Sequence, residues 1–577
     1  MSRRPRPEGA VHVVTNRRQG KGREYVSHLL RRSYREGAKV RNETVGNISH
    51  LPEELVELVR AGLRGEAVGV LSGAFAIERS LPAGHVQAAL AMARRLELAR
   101  LVDRSPSRER ELVLAMVCQR VIAPASKLKT SRLLSLSTLA DELGVRGADE
   151  DELYRALDWL GERQQKIEDR LARRHLRAGE LVLYDVSSSY FEGRSCPLAK
   201  LGYSRDGKRG TLQIIYGLLC DRSGRPISVE VFDGNLHDDQ TLQAQLEKLT
   251  GRFGLQTVVV VADRGMVTKA NLQQIGEQGA RFITALKAPQ VKRLASSGAL
   301  QLSLFDEQNL AEISSEEYPG ERLIVCRNPL VAAERSRKRE ELLAASERAL
   351  AEIARRVHAG TLTGADQIGL AVGAVANKWK VKKHLDIKID QASLTFARKQ
   401  QQIDAEAALD GIYVLRTSVP QPELAAPDVV RSYKQLKEVE RGFRTLKGPE
   451  LELRPIHHRL EQRVRAHVFL CMLAYYLSWH LREAWAPLLF KDEHPPPTTD
   501  PVAKAKRSPS AQRKAASKRT EGGGHAHSYK SLIAELATLT RNTIRVPGSS
   551  ATFEKLANAN TTQAKALELA ANAPVTA

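Results

Sequence analysis

Residues 181–191, LVLYDVSSSYF, and residues 257–265, TVVVVADRG, decide the fold of this chain. Each is an apolar, largely β-branched run that meets one acid, Asp185 in the first and Asp263 in the second. The uninterrupted valines of the second are expected of a strand buried on both faces. Between the two runs, LQIIYGLLC (212–220) and ISVEVFDG (227–234) read as further strands joined through the turn-like DRSGRP. DDQTLQAQLEKLTG (238–251) and KANLQQIGEQGA (269–280) have helical spacing, and RFITALK (281–287) closes the stretch as a strand.

The order is strand, strand, strand, helix, strand, helix, strand. It is the order expected of an α/β, ribonuclease H-like catalytic core, whose first part spans 179–287. Upstream, residues 85–178 are helical throughout, with VQAALAMARRLELARLV, ERELVLAMVCQRVI and ELYRALDWLGERQQKIEDRLARRHL in succession. This region is the expected reader of DNA ends. Residues 1–84 suggest a small β-rich unit with a turn at Glu36-Gly37. Downstream, 288–418 reads as an inserted α+β subdomain, with a polar helix at 336–360, an alternating strand in LDIKIDQASLTF and a closing strand in GIYVLRTS. Residues 419–490 are helical and complete the core. The Pro-, Ser-, Lys- and Gly-rich 491–527 reads as a disordered basic linker, and 528–577 as a C-terminal helix and tail.

Charge narrows the partner. Lys and Arg total 89 against 67 Asp and Glu, a net charge of +22. Such an excess favours a polyanion, nucleic acid or an anionic membrane. The best apolar run, VFLCMLAYYL (468–477), is shorter than the roughly 20 residues a bilayer requires, so no membrane partner is expected. The five cysteines are scattered without a C-x-x-C pair, and no apolar segment follows the basic start. These features predict a cytoplasmic protein whose partner is DNA.

A carboxylate abutting an apolar strand is costly unless it is solvated, paired or metal-bound. Asp185 follows LVLY at the expected C-terminal end of the first strand, and Asp263 follows VVVVA at the end of the buried one; ligands of open sheets gather at the carboxyl ends of parallel strands, so the two acids are candidates to converge on one metal site. The third candidate is Glu440, in SYKQLKEVERGFRTLK (432–447). Tyr433, Glu440 and Lys447 stand seven residues apart, each drifting only about 20° around a helix. Leu436, Val439, Phe443 and Leu446 make an adjacent apolar stripe suited to packing on the sheet. Lys437 and Arg444 flank the acid. Oxygen-only donors suit Mg²⁺ or Mn²⁺, and two such ions about 3.5–4 Å apart serve phosphoryl transfer. Asp206, Asp233, Asp238 and Asp239 are rival acids, with Asp233 the strongest because it also follows a strand.

On these residues the chain resembles the DDE transposases of bacterial insertion sequences. It is most similar to the group with a Y-x-x-R-x-x-x-E-x-x-x-x-x-x-K signature and a β-rich insertion before the catalytic helix. Tyr433, Glu440 and Lys447 match that spacing, whereas Leu436 stands at the Arg position. Asp263-Arg264-Gly265 matches D-R-E in part. GNLHD (234–238) and the phrase from Leu446 to Leu477 resemble further group segments. Asp263 follows Asp185 by 78 residues and Glu440 follows Asp263 by 177, room enough for an insertion. The resemblance implies nicking at transposon ends and attack by the freed 3′-hydroxyl, in some relatives through a hairpin with a base flipped onto aromatic side chains. It implies catalytic and metal-binding roles for Asp185, Asp263 and Glu440. Tyr433, Arg444, Lys447, Lys437, Arg264 and Trp379 are the expected DNA contacts, and a homodimer is expected when two ends are synapsed. The competing readings are a structure-directed nuclease on the same fold that cuts without joining, and a non-catalytic DNA-binding derivative.

Overall fold

The computed structural model describes residues 10–20, 23–37, 39–64, 76–300, 305–306, 308–497, 499–545 and 552–574. Most of the basic opening segment, residues 1–9, lies outside them. The chain forms two compact units, residues 1–83 with 538–559, and residues 84–537 with 560–577.

In the first unit β1 (Val11–Gly20), β2 (Arg23–Glu36) and β3 (Lys39–Asn47) form an antiparallel meander. The turn expected at Glu36-Gly37 is present, with Gly37 at φ +63° and Glu36 paired to Lys39. The positive φ is one that glycine adopts without steric cost. The helix α1 (Glu53–Leu63) packs on β1, and β4 (Ala76–Pro82) follows.

The second unit opens with the expected helices: α2 (Gly84–Arg95), α3 (Leu98–Val102), α4 (Arg108–Ile122), α5 (Lys127–Leu134), α6 (Leu139–Glu142) and α7 (Glu150–His175). The longest, α7, starts because the Asp149 side chain accepts the Glu152 amide at 2.8 Å. Three acids in its first turn and Arg173, Arg174 and His175 in its last complement the helix dipole.

A nine-stranded sheet follows. Its first strand in sequence is β5 (Leu181–Tyr190); then come β6 (Lys200–Leu201), β7 (Leu212–Asp221), β8 (Pro226–Asp233), α8 (Asp238–Glu247), β9 (Val259–Ala262), α9 (Lys269–Glu277) and β10 (Arg281–Ala285). β7 lies antiparallel to β5 and carries β8 and the short β6 on its other edge. β9 runs parallel to β5, and β10 parallel to β9. The strand order through the core is therefore β8-β7-β5-β9-β10.

Beyond β10 the expected boundary needs correction. After α10 (Ala288–Ser296), β11 (Leu310–Ile313) and β12 (Arg322–Arg327) do not belong to a separate subdomain. They extend the main sheet through β15 (Ile412–Thr417), which pairs antiparallel with both β10 and β12. The true insertion lies between them: α11 (Pro329–His358), α12 (Ala365–Trp379), β13 (Leu385–Ile389), β14 (Leu394–Arg398) and α13 (Gln400–Ala407). It has its own core, built on Leu343, Leu350, Ile353, Ile368 and Leu385.

The catalytic-helix region is two helices, α14 (Ala426–Lys434) and α15 (Leu436–Lys447), separated at Gln435. Tyr433 thus belongs to the preceding helix, with Gln435 between the two still in helical φ and ψ (−69° and −14°). The apolar stripe is as expected: Val439, Phe443 and Leu446 are buried, and α15 packs on β5 and β7. The next helix, α16 (Glu461–Ala484), is apolar around most of its surface and is buried against α4, α7 and β8. No helix among the described residues is long and apolar enough to cross a membrane. The helical 85–178 region shares one hydrophobic core with the sheet through α16, so it is built into the catalytic unit and is no separate module.

The stretch 491–527 also departs from expectation. It contains α17 (Pro509–Ser517), and the buried Lys514 ammonium donates to the carbonyls of Ala486 and Leu489 and pairs with Glu493 at 2.6 Å. Composition favoured solvation, but this lysine is held by main-chain acceptors. The expected C-terminal helix is α18 (Tyr529–Ala537). Two unforeseen strands follow, β16 (Thr540–Arg545) and β17 (Thr552–Leu556), and β16 pairs with β4 of the first unit. The last helix is α19 (Thr561–Asn572).

Candidate active site

Strand register brings the first two acids together. Tyr184 on β5 is the parallel partner of Ala262 on β9, so Asp185 and Asp263 occupy the next matching positions. Matched residues on neighbouring strands are about 4.8 Å apart. The expectation that Asp185 ends its strand is corrected: β5 runs on to Tyr190, because β7 continues to pair with it after β9 has stopped at Ala262. Asp185 therefore sits in mid-strand opposite Leu218, partly buried, while Asp263 is exposed just past its strand. Each carboxylate accepts the next residue's amide at 2.8 Å, Asp185 from Val186 and Asp263 from Arg264.

Electrostatics ties the third acid to this pair. Burial pushes the Asp185 carboxyl up to about 7, and the negative charges of Asp263 and Glu440 push the same way. The Val186 amide and the Arg205 guanidinium oppose them. Glu440 reaches the site from α15, whose seating depends on a glycine. A Cβ on Gly442 would stand 3.1 Å from the Tyr475 ring of α16, so glycine lets the two helices close. Tyr433 joins from α14: burial raises its hydroxyl's pKa, and Asp263 is its leading charged neighbour and hydrogen-bond partner. Asp263 and Glu440 both act electrostatically on Asp185, and Tyr433 neighbours Asp263. Among the described residues, however, no three His, Cys, Asp or Glu side chains stand close enough together to cage a cation.

The cations divide into two groups. Lys437, Arg444 and Arg264 are exposed, as expected of groups that meet a polyanion. Lys447 is not free to do so. Its ammonium donates to the Ser188 carbonyl at 2.6 Å and pairs with Asp206 at 3.1 Å, the two side chains only 12% and 5% exposed. Arg454 holds the other oxygen of Asp206 at 2.8 Å. This pairing withdraws Asp206 as a rival acid. Asp238 is likewise taken by Arg205, whose Nη2 lies 2.6 Å from both carboxylate oxygens. Asp233 is exposed at the end of β8. Trp379 ends α12 and packs on the insertion's core, with the Lys378 ammonium 4.8 Å from its ring.

Sequence reasoning missed Arg205, a cation that opposes the upward shift of Asp185. The signal was its place in the turn-rich, charged segment GYSRDGKRG (202–210) after the first acid.

Three carboxylates beside a sheet and a surplus of exposed cations define a class of protein suited to phosphoryl transfer on a polyanion. Residues 185–477, just over half of the chain, match the family model for the transposase DDE domain, and residues 11–68 match that for the IS1634 family transposase, N-terminal domain. The chain belongs to the DDE transposases of insertion sequences. No curated protein matches it. Among solved structures it is similar to the piggyBac transposase in a synaptic complex with hairpin DNA, at 10% identity over 78% of this chain and 76% of that chain, TM-score 0.33. It is also similar to the Mos1 strand transfer complex, at 17% identity over 30% of this chain and 64% of that chain, TM-score 0.14. Scores this low give neither likeness weight for the fold.

Proposed function

We propose that this transposase cuts DNA at the ends of its own element and joins the freed 3′-hydroxyls to a target, with Asp185, Asp263 and Glu440 as its catalytic acids. The carrying observation is that Asp185 and Asp263 directly follow the last matched pair of β5 and β9, Tyr184 and Ala262, and that Glu440 acts on the Asp185 carboxyl. The core is read as ribonuclease H-like. Supporting this are the order β8-β7-β5-β9-β10, the antiparallel pairing of β5, β7 and β8, and the parallel β9 and β10.

The donor chemistry fits Mg²⁺ or Mn²⁺. The three side chains offer only carboxylate oxygen, which hard cations prefer, and Asp185 is short of positive charge in their company. Asp185 and Asp263 would hold the ions, with Glu440 completing the set. Bound there, two such ions supply activation of a water or 3′-hydroxyl and stabilisation of the leaving oxygen. The protein's own part is to hold the DNA in line: Tyr433, Arg264, Arg444 and Lys437 would grip neighbouring phosphates, while Trp379 with its adjacent lysines would meet DNA from the insertion. The net charge of +22 supports DNA as the partner. Joining two ends to one target calls for a homodimer on DNA.

The test compares wild type with Glu440→Gln on a duplex carrying the element's terminal sequence. Wild type should nick at the end with Mg²⁺ or Mn²⁺ and transfer the strand, while Glu440→Gln binds equally and does not cut. Equal cutting by both would remove Glu440 from the site and bring Asp233 forward. Cutting without joining would leave a nuclease on the same scaffold.

A further inference from the structure

Lys447 is the last residue of α15, and Ser188 lies on β5 three residues past Asp185. The Lys447 ammonium donates to the Ser188 carbonyl at 2.6 Å, and its pairing with Asp206 at 3.1 Å draws in the loop before β7. That loop is tied to the same strand residue: the Ser188 hydroxyl donates to the Tyr203 carbonyl at 3.2 Å and accepts the Arg205 amide at 3.0 Å. Arg454, from the segment after α15, holds the second oxygen of Asp206 at 2.8 Å. One buried acid therefore joins the end of the helix, the segment beyond it and the loop. Burial pushes the Lys447 pKa down and the Asp206 carboxylate pushes it back up. Asp206 is thus what keeps a buried ammonium charged, and a buried ion with its partner removed is strongly destabilised.

The spacing of this tie matches the spacing of the acids. Glu440 and Lys447 are seven residues apart on α15, about 10.5 Å along the helix and within about 20° of one face. Asp185 and Ser188 are three residues apart on β5, about 10 Å along the strand. α15 packs on β5, and Glu440 acts on the Asp185 carboxyl. Helix and strand therefore carry two rungs of equal separation, Glu440 to Asp185 and Lys447 to Ser188. The apolar contacts of Val439, Phe443 and Leu446 decide which face of α15 is buried. Being non-directional, they do less to decide how far along the strand the helix sits. A hydrogen bond and an ion pair at one rung fix the position at the other.

Resting on the catalytic reading above, we propose that Asp206 is a positioning residue of the cleavage reaction: through Lys447 it locks α15 to β5 at the setting that presents Glu440 to Asp185. Lys447 is the pin of that lock and leaves the DNA to other cations, although it stands at the Lys of the signature. To meet a phosphate it would have to abandon both a carbonyl and a buried carboxylate. Asp206, a rival for the metal site on sequence alone, serves that site from outside it.

The experiment compares wild type, Asp206→Asn, Lys447→Met and the double variant as full chains on the end duplex. Each single variant should cut saturating DNA about 10–100-fold more slowly, the loss expected of a misplaced catalytic group. The Mn²⁺ concentration for half-maximal cutting should rise about ten-fold, as it does when an outer partner of a metal ligand is lost. An ion pair with a structural role alone would lower the urea midpoint and the amount of active protein, but would leave that Mn²⁺ concentration where it is. The losses should not multiply in the double variant, because the two residues act as one unit. The double variant also lacks the unpaired Lys447 or Asp206 that a single variant leaves, so it carries the test if a single variant does not fold. DNA binding without divalent ions is the second readout. The slope of log affinity against log salt should be the same in Lys447→Met as in wild type. A slope shallower by about 0.9 would make Lys447 a phosphate contact and overturn the proposal, as would a double variant with the rate and Mn²⁺ requirement of wild type. Glu440→Gln, run alongside, reports on the catalytic reading itself. If it cuts like wild type, that reading fails and the lock has nothing to position; if it is inactive beside a fully active double variant, only the lock is refuted.

Discussion

Asp185 carries a charge that its surroundings resist. Its carboxyl is pushed up to about 7, first by burial and then by Asp263 and Glu440. In the unfolded chain it would titrate near an ordinary aspartate. Between about pH 4 and pH 7 the folded protein therefore holds a proton that the unfolded chain has lost, and folding stability falls as pH rises through that window. Asp185→Asn lacks this proton, so without divalent ions the wild type should lose stability relative to the variant from about pH 4 to pH 7, then level off. Urea unfolding of both proteins at half-unit steps of pH measures it, and parallel curves would refute the shift. This carboxyl was legible in the sequence because a lone acid beside an apolar run has few cheap explanations. The buried pairing of Lys447 with Asp206 was not, since the partners are 241 residues apart and nothing local distinguishes an ammonium bound for solvent from one bound for a buried acid.

The helices that deliver Glu440 show how far local pattern reaches. The stripe of Val439, Phe443 and Leu446 correctly set the buried face of α15, because helical period and burial are linked directly. The break at Gln435 was not legible: no glycine or proline marks it, and the helical φ and ψ of Gln435 (−69° and −14°) leave only a small local departure. The sheet's extension by β11 and β12 was equally hidden, because their partner β15 lies beyond an insertion and pairing across such a distance leaves no local trace. Element packing also yields a test. Gly442→Val would drive a branched side chain into the Tyr475 ring and should cost about 1–3 kcal/mol, lowering the urea midpoint and slowing cleavage as Glu440 shifts. Gly276 on α9 has nothing within 4 Å of a built Cβ. Gly276→Val is thus the control that carries the helix-propensity effect alone. Equal losses in the two variants would mean that the packing of α15 on α16 tolerates the larger side chain.

The second unit is built on more than one hydrophobic core. The sheet, the upstream helices and α16 share one core, whereas the insertion packs on its own. The insertion leaves and returns at one place: the Asn328 amide donates to the Gly411 carbonyl at 2.9 Å. The chain ends on either side are therefore already adjacent, and closing them over a short link costs little entropy. Replacing residues 330–409 with a short Gly-Ser linker should leave a protein that still unfolds cooperatively, read by circular dichroism in urea. What should change is its grip. Lys378, Lys380, Lys382 and Lys383 leave with the excised segment, together with Trp379. For every phosphate that the shortened protein no longer neutralises, the dependence of log affinity on log salt should become shallower by about 0.9. A folded product with a shallower salt slope would identify the insertion as a DNA-holding arm set on a self-sufficient sheet. An unchanged slope would return DNA binding to the rim of the acids, and a product without a cooperative transition would show that β12 and β15 need the insertion to find each other.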